Sequence, residues 1–353
     1  MTLQNLSIFR LSTGVTAAVA VSYGGSWFLS FLTPIFTFMF LAMPVWIGAR
    51  MARQLVFRLG YSLLLGIAIS EFLLNYPLLC VPVYGLLLFF IYYNDTPTAP
   101  PMAAMFMTMG ITMIPIISFS GQGVAHVIAS YLLLNMVGGL IFAWIFHSLC
   151  PNSLAEQGPQ QKKAAQPPPQ PDNAERARLA VVSTLVALTA VIIFFALNLS
   201  QHALAMIYIC FMAGTPNTNA SVVVMKANAT ATCIGGFAII IAFNLLVAVP
   251  VYLFLIMLTL VFSLFFCKQI YGGGTHAAAF TSGYTTFLIL LGSSTGVDKT
   301  AAANFYLRIA QVLFAGLFTL MGLMLVEHFL RPKKWGLRKL IHGVANRRKN
   351  ITS

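Results

Sequence analysis

Long apolar runs separated by short polar breaks make up most of the chain. They predict helices over 8–23, 27–46, 55–74, 77–93, 102–120, 125–148, 178–197, 202–214, 229–247, 250–267, 276–293 and 305–329. A helix needs about 20 residues to cross the hydrocarbon core of a bilayer. Twelve such spans use about 240 residues and leave little for soluble domains. The expected fold is all-α: a polytopic membrane protein of about twelve transmembrane helices. Ala18-Val19-Ala20 has the look of a signal-peptidase site. Cleavage is not expected, because the first run has a counterpart at 178–197.

Composition agrees with the pattern. Of the 353 residues, 59% are hydrophobic and only 8% charged, against roughly a quarter charged in a soluble domain. Mean hydropathy is +0.86. These values exclude a soluble enzyme, a disordered chain and a disulfide-rich secreted domain. The five cysteines are scattered and form no CxxC, so they read as buried space-fillers.

The net charge is +13, and its distribution sets an orientation. With a cytoplasmic N-terminus, Arg10, Arg50, Arg53, Arg58, Lys162, Lys163, Arg176, Arg178, Lys226, Lys268 and the eight basic residues of the last 23 all face the cytoplasm. Only Lys299 and Arg308 face the other side. This asymmetry places both termini in the cytoplasm. It is not a nucleic-acid-binding face. The tail Lys333-Lys334-Trp335-Gly336-Leu337-Arg338-Lys339 reads as an anchor on an anionic inner leaflet.

Residues 151–177, with Pro167-Pro168-Pro169-Gln170-Pro171, predict an extended or disordered cytoplasmic connector. It divides two similar halves. Val81-Pro82-Val83-Tyr84 recurs as Val249-Pro250-Val251-Tyr252. Met102-Ala103-Ala104-Met105-Phe106 lines up with His276-Ala277-Ala278-Ala279-Phe280, and His147 through Pro151 with His328 through Pro332. Arg10-Leu11 matches Arg178-Leu179, and Pro44 matches Pro216. Six spans per half make the repeats parallel, related by an axis along the membrane normal. The expected organisation is a first six-helix repeat over 1–150, the linker, a second repeat over 178–332 and a basic tail over 333–353.

Interrupted helices at matching positions point to transport sites in such repeats. The second run, broken by Pro34 and ending at Pro44, and the eighth, ending at Thr215-Pro216-Asn217, form such a pair. A surface loop explains them equally well.

Arg53-Gln54-Leu55-Val56-Phe57-Arg58-Leu59-Gly60 through Gly66 is a basic stretch followed by small residues at the third helix. Its second copy reads Lys226-Ala227-Asn228-Ala229 through Gly235-Gly236. With these segments, the six-plus-six pattern and the mid-chain linker, the chain resembles the fusaric acid resistance superfamily, which includes bacterial aromatic acid exporters. The resemblance spans nearly the whole chain. It implies an inner-membrane exporter of small organic anions that works with a periplasmic adaptor protein. Two features depart from it: the large cytoplasmic domain of many members is absent, and Asn228 stands where an arginine would match Arg58.

The substrate-binding candidates are Arg58, Lys226, Asn228, Thr215 and Asn217. A cation in low dielectric favours an anionic ligand, although a basic residue at a helix end also snorkels to lipid phosphates. Glu71, Glu327 and His328 are candidates for a proton relay, with local interfacial pairing as the plainer account. Arg308 is expected to pair with Asp298 or lipid. No P-loop, HExxH or metal-ligand spacing occurs, so neither an enzyme nor a cofactor is expected. The expected partners are an organic anion, the adaptor, the bilayer and further copies of the chain. The alternatives are a membrane scaffold that transports nothing and a passive anion channel.

Overall fold

The computed structural model describes residues 2–74, 76–95, 102–118, 123–152, 173–197, 205–206, 209, 222–272, 277–295 and 305–330. Within them lie eleven α-helices: α1 (Leu3–Gly24), α2 (Leu32–Leu41), α3 (Gly48–Ala68), α4 (Pro77–Tyr93), α5 (Ala103–Ser118), α6 (Val124–Leu149), α7 (Asn173–Ala196), α8 (Val222–Ala248), α9 (Tyr252–Tyr271), α10 (Ala277–Thr295) and α11 (Phe305–Leu330). There is no strand among the described residues. Five helices are long and apolar enough to cross a bilayer by length and composition alone, α3 counted with its π-helical end. Outer faces carry Phe57, Leu64, Phe72, Leu78 and Phe314, each well exposed. Helices apolar on both the inner and outer faces belong in lipid. The protein is an all-helical membrane protein.

Several boundaries differ from the sequence expectation. Pro34 does not break the second helix; it lies in the first turn of α2. There its missing N–H has no intrahelical partner to lose. The second helix shortens from 27–46 to Leu32–Leu41, with the chain bending on either side. The third helix starts at Gly48 and ends in a π-helical turn, Ile69–Leu73. Lys226 and Asn228 lie inside α8, not ahead of it. Of the predicted eighth span, only Ala205, Met206 and Ile209 are described, all buried.

The packing has a recurring plan. α3 lies along α5, and α8 along α10. α6 touches α1, α3 and α5, while α11 touches α7, α8 and α10. The first helix of each half also crosses to the other half: α1 packs on α9, and α7 on α4. Small residues bring the matched pairs together. A Cβ on Gly66 of α3 would lie 2.6 Å from the Gly110 carbonyl of α5. Gly235 of α8 meets the Gly283 carbonyl of α10 in the same way. In a membrane such close approach replaces the hydrophobic drive that lipid removes.

Short α2 sits at the centre, with nine of its ten residues buried. Asn135 of α6 holds it there. The Thr33 hydroxyl donates to Asn135 Oδ1 at 2.6 Å, and Asn135 Nδ2 donates to the carbonyls of Tyr131 and Phe28 at 2.7 and 3.2 Å. Aromatic edges extend the contact: Phe36 meets Phe106 of α5 at 5.1 Å, and Phe38 meets Tyr284 of α10 at 4.9 Å.

Candidate functional site

The two crossings between the halves are built differently. At α1–α9, Tyr252 reaches across, and its hydroxyl donates to the Ala20 carbonyl. Its ring tip lies over Gly24. At α4–α7 the matching Tyr84 turns inward instead. Its hydroxyl donates at 2.9 Å to the Ile111 carbonyl of α5, in its own half.

The α4–α7 joint holds a cavity of about 390 Å³. Leu74, Cys80, Val81 and Tyr84 line it from the first half, and Leu188, Val191, Ile192, Phe195 and Ala196 from the second. Its size is that of a small-ligand site. The wall is apolar apart from Cys80 and Tyr84. Tyr84 stands edge-on to Phe195 at 5.6 Å, and its hydroxyl is already engaged. The cavity therefore suits an aromatic or aliphatic body rather than a charge.

The opposite end of the same joint is basic. It is the end that the charge count assigns to the cytoplasm. Arg176 of α7 donates to the Tyr93 carbonyl at 2.8 Å. Its guanidinium also lies 5.0 Å from the Tyr93 ring centroid, a cation–π contact. Arg58 of α3 lies within electrostatic reach of Asp95, just beyond α4. Arg178 pairs with Glu175 at 3.8 Å.

Of the residues expected from sequence, Arg58 is half-buried at this basic mouth. Glu71 is exposed in the π-helical turn at the other end of α3, and His328 is exposed near the end of α11. Thr215 and Asn217 lie outside the described residues, as do the side chains of Lys226, Asn228, Glu327 and Arg308. α3 packs chiefly on α5 and α6, and α8 on α10. Sequence reasoning missed Tyr84 and Arg176 as site residues. The repeated VPVY marked Tyr84, but spacing does not say that the two copies turn opposite ways. Arg176 counted only as a loop charge.

Fold and joint together define a helical membrane protein with a ligand-sized apolar cavity at one end of the α4–α7 joint and basic residues at the other. Over residues 7–148 the chain matches a membrane-protein family described as Protein of unknown function (DUF2955). That match takes in α1 through most of α6 and stops before the polar linker. No curated protein and no solved structure matches the chain.

Proposed function

We propose that the protein is a transporter of the bacterial inner membrane that exports small organic anions, aromatic carboxylic acids among them, with both termini in the cytoplasm. The observation that carries this reading is the apolar cavity between the halves at one end of the α4–α7 joint, with Arg58 and Arg176 at the other end. An aromatic acid has an apolar body and one charge. Basic residues concentrate the anion at the mouth, and the cavity takes the ring. The crossed packing of α1 on α9 and of α7 on α4 supports two parallel six-helix repeats whose relative motion would open the joint. A periplasmic adaptor that carries substrate onward belongs to this proposal, as does a proton gradient or passive flow as its driving force.

Efflux of radiolabelled benzoate from proteoliposomes tests it. The wild-type chain should empty vesicles faster than protein-free liposomes do. Val191→Trp fills the cavity and should abolish the difference. Arg58→Ala should lower apparent affinity about tenfold to a hundredfold, the scale of one charge-assisted contact. Efflux no faster than from empty liposomes would overturn the transporter reading and leave the scaffold.

A further inference from the structure

The α1–α9 joint carries a second feature at its other end. Arg10, in the third turn of α1, is only 2% exposed. Both of its hydrogen bonds among the described residues leave from Nη1, to Asn152 Oδ1 at 2.9 Å and to the Cys150 carbonyl at 3.4 Å. Asn152 is itself tied down, because its Nδ2 donates to the Pro44 carbonyl at 3.1 Å. The guanidinium is thus held by one corner. Its Nε is buried without a partner, and Nη2 has none among the described residues. Nε and Nη2 form the edge with which arginine grips a carboxylate in two parallel bonds.

His147, in the last turn of α6, lies within electrostatic reach of Arg10. It is 9% exposed, and its Nε2 also lacks a partner. The Phe40 carbonyl faces the imidazole, and the Trp46 ring stands 6.3 Å from it. The other ionisable groups near Arg10 are Tyr271, at the end of α9, and Cys150. No described carboxylate pairs with it. Glu175 pairs with Arg178, Asp95 faces Arg58, and Glu71 sits at the far end of α3. An arginine buried in protein without a counter-charge is costly, and a bound anion removes that cost.

We propose that Arg10 anchors a carboxylate-binding site, with the carboxylate on its Nε–Nη2 edge and His147 taking up a proton from solvent as the ligand binds, so that its Nε2 donates to the same carboxylate. The site is separate from the α4–α7 cavity and does not rest on transport. The matching residues of the second half do not repeat it, since Arg178 already has Glu175 and His328 is exposed.

Calorimetric titration of benzoate into the purified full-length chain, washed free of phospholipid, tests the site. The expected result is saturable benzoate binding that benzamide does not reproduce. Arg10→Lys keeps the charge and loses the fork, and should weaken binding about tenfold to a hundredfold. With the α4–α7 cavity filled by Val191→Trp, Arg10→Gln should abolish it and His147→Phe should weaken it, with helical content unchanged by circular dichroism. Equal benzoate affinity in wild type and Arg10→Lys would overturn the proposal. So would binding that emerges only in Glu156→Gln, a change in the 151–177 linker, because the chain's own carboxylate would then be the occupant. Phospholipid that stays with the wild type through washing but not with Arg10→Gln, without benzoate binding, would assign the site to a lipid phosphate. A chain that binds benzoate at Arg10 but moves none would leave this site standing and sink the transport reading.

Discussion

Glycine at a helix crossing and glycine on an open face have opposite meanings in this protein. A Cβ on Gly110 would meet the Ser62 side chain and the backbone N of Leu63. Gly110→Val should therefore push α5 off α3 and cost about 1–3 kcal/mol, the usual range for overpacking. At Gly60 an added methyl would have no neighbour within 4 Å, so Gly60→Ala should be neutral or stabilise α3 by up to about 1 kcal/mol. Thermal denaturation of both variants in one detergent separates the cases. A Gly110→Val chain as stable as wild type would mean that α3 and α5 slide freely. Both residues are plain glycines in an apolar helix, and no local pattern tells them apart.

Among the elements, α2 depends most on a single polar residue. Asn135 is fully buried and spends both ends of its amide on holding α2 and the turn before it to α6. Membrane hydrogen bonds are individually modest, about 0.6 kcal/mol on average with a maximum near 1.7. Asn135→Ala removes three of them and leaves a cavity, so the expected loss is about 2 kcal/mol. Limited proteolysis should then cut the bends on either side of α2, at 25–31 and 42–47, before any other described loop. An unchanged cleavage pattern would show that the aromatic contacts of Phe36 and Phe38 hold α2 without it. The same element shows where a sequence argument stops. Pro34 in an apolar run reads as a break, yet in a first turn proline costs the helix nothing. Which turn it occupies depends on where the bend before α2 ends.

At the scale of the whole molecule, orientation is open to direct measurement. In a cysteine-free background, single cysteines at 155–175 should react only with reagent supplied from the cytoplasm, and those at 295–300 only from outside. Labelling of 155–175 from the periplasm alone would reverse the assignment and put Arg58 and Arg10 at the other face. Apolar run length by itself determined the helical membrane class, because burial in lipid demands length and hydrophobicity, both additive along the chain. Charge counting likewise read Arg10 and Arg58 as residues of one face. Neither argument could see that Arg10 is buried with its carboxylate-gripping edge unpaired, or that Tyr84 and Tyr252, in identical tetrapeptides, turn opposite ways. Those outcomes hang on which neighbours the packing brings to Arg10, Tyr84 and Tyr252. That is settled by close approach between residues distant in the chain, so only the tertiary structure could decide it.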